Sequence, residues 1–83
     1  MTADDYENWA EEYRQSAFEI EQQLEEKKRR YKSKIGDAER AKLEKAMLYL
    51  FEQKVQLCGI AKELSERAKI IREREEQKAR HNA

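Results

Sequence analysis

The sequence predicts an all-α protein, an antiparallel hairpin of two long coiled-coil-like helices that dimerises into a four-helix bundle. Three observations carry this expectation. Leu43, Leu50, Leu57, Leu64 and Ile71 recur every seven residues, the repeat that holds one stripe of a long helix against a partner helix. Across 83 residues there is no Pro, and Gly36-Asp37 is the one turn signal between two periodic segments. A second apolar stripe lies off the heptad seam and requires another helix pair to cover it.

The first helix is expected over about residues 3–35. Thr2 and Asp5 have the spacing of a capping box, and Asp4, Asp5 and Glu7 complement the positive end of the helix dipole. Tyr6, Ala10, Tyr13, Ala17, Ile20, Leu24 and Tyr31 follow at helical spacing and share one face. Gly36 is expected just past the helix end in a left-handed conformation, with Asp37 as the N-cap of the second helix. That helix is expected over about residues 38–78, the polar segment after Arg72 fraying, so that residues 1–83 form one helical-hairpin domain.

A reversal at residues 36–37 sets level those residues whose numbers sum to about 73. Leu24 then lies beside Leu50, Ala17 beside Leu57, Tyr13 beside Ala61, Ala10 beside Leu64 and Tyr6 beside Ala68. In the last four layers a large side chain meets an alanine, as dense interdigitation requires. Lys54 is the one charge interrupting the second seam. It is expected level with Glu19, as a polar device that fixes register at some loss of stability.

Leu48, Phe51, Val55 and Cys58 recur at three, four and three residues, roughly 80 to 160° around the second helix from the leucine seam. Phe18 is rotated about 120° from the first seam in the same sense. In an antiparallel pair, equal rotation leads to the same flank. These five residues are the expected oligomer interface, because a hairpin with one thin seam needs a partner to offset its chain entropy of roughly 1.5 kcal/mol per residue. A two-fold dimer is the simplest solution. Gly59, mid-helix beside this stripe, reads either as a site of close approach or as a tolerated surface glycine.

No catalytic, cofactor-binding or metal-ligating set is expected. Cys58 and His81 are the only residues of their types and stand far apart on one helix, which excludes a Cys–His nucleophilic pair or a zinc site within one chain. Inward-facing Glu-x-x-His pairs for a di-iron centre are absent, and neither glycine belongs to a phosphate loop. The longest apolar run, Ala46 to Phe51, is too short for a membrane span. With one cysteine and no secretory leader pattern, the expected compartment is cytoplasmic.

The formal net charge is zero, yet the charges are segregated. Residues 1–26 hold nine acidic side chains and one basic, Arg14, whereas Lys27, Lys28, Arg29, Arg30, Lys32 and Lys34 follow with no acid among them. This cluster is the candidate polyanion contact. Together with the leucine heptad, residues 27–71 resemble the basic-region leucine zippers, a likeness that implies a continuous helix running from the DNA major groove into a parallel dimer. The resemblance departs in detail. The basic region's usual Asn is missing, Ser33 stands where an Arg is expected, and Gly36-Asp37 would interrupt the helix.

The function expected from these features is that of a non-enzymatic protein-interaction, adaptor or regulatory module, acting through a coiled-coil homodimer or on a partner helix. The alternative is a small nucleic-acid-binding regulator that uses the basic hairpin turn.

Overall fold

In the computed structural model, which describes residues 1–82 and side chains as far as Arg80, the chain forms α1 (Ala3–Tyr31) and α2 (Asp37–Asn82) with no strand among the described residues. The first helix begins as its sequence dictates. Thr2 Oγ1 accepts the Asp5 backbone N–H, and the Asp5 carboxylate accepts the Thr2 N–H at 2.9 Å, closing the capping box. These hydrogen bonds hold the Asp5 carboxyl below its ordinary pKa.

The turn differs from expectation. The first helix stops at Tyr31 rather than near residue 35, and the connection is Lys32 to Gly36 rather than residues 36–37. The Arg30 carbonyl ends the helix by accepting both the backbone N–H and the Oγ hydroxyl of Ser33. That tightened last turn removes the need for a left-handed glycine. Gly36 accordingly has no positive φ. It occupies the N-cap position expected for Asp37, its carbonyl accepting the Arg40 N–H at 3.0 Å, while Asp37 is the first helical residue. Half-buried Ile35 lies in the same connection. Arg30 reaches across it, its Nε donating to Glu39 Oε1 at 2.8 Å.

The helices run antiparallel along their shared length. Tyr31 Oη donates to Glu44 Oε1 at 2.7 Å near the turn, and Arg72 pairs with Asp4 at 3.1 Å at the open end. The Glu44 hydrogen bond raises the Tyr31 pKa above its ordinary value. The buried residues are Ala3, Ala10, Ala17 and Leu24 from α1 with Leu43, Leu50, Ala61, Leu64 and Ala68 from α2. Ala10 packs with Ala61 and Leu64, flanked by Tyr6 and Tyr13, as the level pairing requires. Every seventh residue of α1 from Ala3 is thus small until Leu24, which lets the helix axes approach closely.

Lys54 pairs with Glu21 and not with Glu19. Level residues need not face one another. At about 100° per residue, Glu19 points away from the seam, where it is exposed, whereas Glu21 borders it.

Past Arg72, α2 continues as helix to Asn82, although α1 has no residues left to cover it. The segment is rich in Glu, Lys, Arg and Ala, all strong helix formers. The molecule is a rod of 70 × 17 × 14 Å with a radius of gyration of 19.6 Å, against about 12 Å for a globular chain of this length.

Candidate functional site

The residues off the seam are exposed in this hairpin. Phe18 retains 58%, Leu48 64%, Phe51 55% and Val55 54% of its accessible surface, and Cys58 is a free, exposed thiol. Helical spacing on α2 puts Leu48, Phe51, Val55 and Cys58 along one strip, with Phe51 and Val55 bordering a common depression. An open groove beside them is lined by Leu48, Phe51, Met47 and Leu24, with Glu21 and Lys54 on its walls. Glu21 also borders the depression at Phe18. The aromatic side chains of the two helices therefore stand on the same flank, one on each side of the Glu21–Lys54 pair.

That ion pair is half-buried, at 35% and 34% side-chain exposure. Glu21 Oε2 is shut off from solvent and faces the Lys54 ammonium. The contact lowers the Glu21 pKa and raises that of Lys54, against the opposing effect of desolvation on each. Lys28 and Glu44 also line this groove, so its apolar strip of Leu24, Met47, Leu48 and Phe51 is bordered by charge. Met47 and Glu21 are groove residues that sequence reasoning left out. Met47 was legible as a seam neighbour of Leu43 and Leu50, but Glu21 shows itself only once the register is known.

Besides the Arg30–Glu39 and Tyr31–Glu44 contacts near the turn, further interhelical polar contacts lie toward the open end. Arg14 reaches Ser65 across the helices and Glu7 and Glu11 along its own helix, while Arg72 meets Asp4 and Glu7. Other large apolar side chains are exposed singly. Trp9 lies 6.4 Å from the Tyr13 ring in a tilted pair, and Tyr49 accepts a hydrogen bond from Gln53. Scattered exposed residues of this kind are normal on protein surfaces.

The basic turn is divided by the fold. Arg30 is engaged by Glu39 and Lys28 by Glu25, and Arg40 stacks over the Tyr31 ring at 5.3 Å. Arg29, Lys32 and Lys34 are exposed, and Lys27 is half-buried. The six residues are thus placed at one pole without converging on a common pocket.

Gly59 has open space where a side chain would project, so nothing within the hairpin requires a glycine there. The side chain of His81 lies outside the described residues. Among those described, no group of three His, Cys, Asp or Glu is positioned to hold a metal ion. Among the described residues, no helix is long and apolar enough to cross a membrane. No protein-family model, curated protein or solved structure matches this chain.

Proposed function

We propose that this chain is a non-enzymatic adaptor or regulatory module that self-associates through the flank bearing Phe18, Leu48, Phe51, Val55 and Cys58, giving a four-helix bundle. The observation that carries the reading is the exposure of four large apolar side chains on one flank, each with more than half of its surface in water. Large apolar side chains gathered on one exposed flank mark an interaction surface. Covering it supplies the second layer of burial that a two-helix seam lacks.

Sedimentation equilibrium tests it. The unmodified protein is expected to be a dimer, Phe51→Leu to remain one, and Phe51→Glu to become a monomer with reduced helical content, because an unpaired charge in an apolar contact is costly. An unmodified chain that stays monomeric at every concentration, with its helices intact, sinks the reading.

The alternative regulator reading draws on exposed Arg29, Lys32 and Lys34 at the turn. Phosphate contacts release counterions, so binding through them weakens steeply with salt. Titration of labelled duplex DNA, single-stranded DNA and RNA at physiological salt is expected to show weak, sequence-indifferent association. Tight binding abolished by Arg29→Gln with Lys32→Gln and Lys34→Gln, in a chain that still folds, favours the regulator.

A further inference from the structure

Resting on the self-association just proposed, we infer that the second copy lies on this flank in the reversed direction. The two-fold axis then crosses the rod near the Glu21–Lys54 pair, and each basic turn sits beside the partner's open, acidic end.

Two observations bear on this geometry: the first permits the reversal without loss of overlap, and the second selects it. The first is where the patch lies along the rod. The paired span of α2 runs from Asp37 to Arg72, where the last interhelical ion pairs form. Its midpoint falls at Lys54, level with Glu21 on α1. The apolar strip from Leu48 to Cys58 is centred on almost the same level. A two-fold axis perpendicular to the rod at that level therefore superposes patch on patch and overlaps the hairpins along their whole paired length.

The second observation is charge. Residues 27–34 hold six basic side chains and no acid, whereas residues 4–14 hold five acids and one basic side chain, Arg14. Reversal about the central level stacks α1 on the partner's α1, head to tail. Lys27 to Lys34 then run beside about residues 8–15 of the partner, where Glu11 and Glu12 lie, and the favourable contact occurs twice by symmetry. With the two-fold along the rod instead, α1 stacks on the partner's α2. Lys27 to Lys34 then meet Arg40, Lys42 and Lys45 with Glu44 the one acid among them, a net juxtaposition of like charges that complementarity selects against.

The test separates orientation from association. Ala38, exposed in the first turn of α2, is replaced by p-acetylphenylalanine and coupled to a nitroxide, which leaves Cys58 in place. Sedimentation of the labelled protein establishes the dimer, and pulsed electron–electron resonance measures the label separation. The reversed dimer gives roughly 50 Å, twice the axial distance from residue 38 to the centre at 1.5 Å per residue. Turns placed side by side give no more than about 25 Å, the reach of adjacent packed helices. As an independent readout on the unlabelled chain, the dimer dissociation constant rises several-fold from low to high salt if opposite charges face each other, and falls if like charges do. A dimer with the short distance or the opposite salt trend overturns this orientation and leaves the proposed function standing. A monomer removes both.

Discussion

Individual side chains set conditions that simple substitutions can read. Glu21 and Lys54 stabilise each other across the groove, and the signs of their shifts define a pH window. The lowered Glu21 pKa means its contribution is present above the ordinary carboxylate range and lost as pH falls through the folded value. The raised Lys54 pKa means its contribution is present below the ordinary lysine value and lost as pH rises through the folded one. Stability from the pair is therefore expected between about pH 5 and pH 10. In thermal melts, Glu21→Gln should narrow the gap in melting temperature between acid and neutral pH. An unchanged gap would mean solvent already screens the pair. Gly59 gives a second residue-scale test. A methyl group there meets nothing within the hairpin, and a helical Gly is worse than Ala by up to about 1 kcal/mol. Gly59→Ala should stabilise the hairpin in denaturant titrations. If it instead weakens the dimer while raising helix content, the position is a point of close approach for the partner.

The paired helices depend on small residues at fixed intervals. Ala10 and Ala68 have no exposed surface, and Ala10 packs directly on Ala61 and Leu64. A larger side chain at Ala10 must push α1 away, so Ala10→Leu is expected to destabilise by about 1–3 kcal/mol. The opposite change, Leu64→Ala, opens a cavity in the same layer and is expected to destabilise by about 2–5 kcal/mol. Equilibrium denaturation of both variants checks the layer from each side. This alternation of large and small was legible in the sequence, because heptad spacing and a single reversal leave few registers that keep leucine opposite alanine. Thr2 and Asp5 were legible for a similar reason, since a capping box depends on a three-residue offset alone. The turn was not. Glycine and aspartate advertise a reversal, but the hydroxyl and N–H of Ser33 end α1 on the Arg30 carbonyl several residues earlier, and a lone serine in a basic run carries no distinctive pattern. The Lys54 partner escaped because counting gives the level of a residue along a helix, while its rotation decides what it touches. On the flank proposed for self-association, rotation alone groups the five apolar residues, and the structure shows them exposed. Glu21 emerged only with the paired geometry, whereas Met47 could have been read as a seam neighbour of Leu43 and Leu50.

The whole molecule is a rod whose two helices share only part of its length. Past Arg72, α2 has no covering helix, so its stability rests on propensity rather than packing, which is marginal for an isolated segment this short. A chain truncated after Arg72 is expected to melt within a few degrees of the intact one by circular dichroism, with loss of ellipticity in proportion to the residues removed. A large drop in melting temperature would show that the overhang contacts something in the assembled state. The short connection from Lys32 to Gly36 has a further consequence, for the order in which the rod assembles. Contacts such as Arg30 with Glu39 enclose a small loop, whereas Asp4 and Arg72 are joined only after nearly the whole chain has been ordered. Loop-closure entropy favours beginning at the turn and zipping toward the open end, each formed layer shortening the loop that the next must close. Substitutions near the turn, such as Arg30→Ala, should slow refolding in stopped-flow kinetics, while Tyr6→Ala at the far end should chiefly speed unfolding. The pole that carries the positive charge would then be the first part of the protein to take shape.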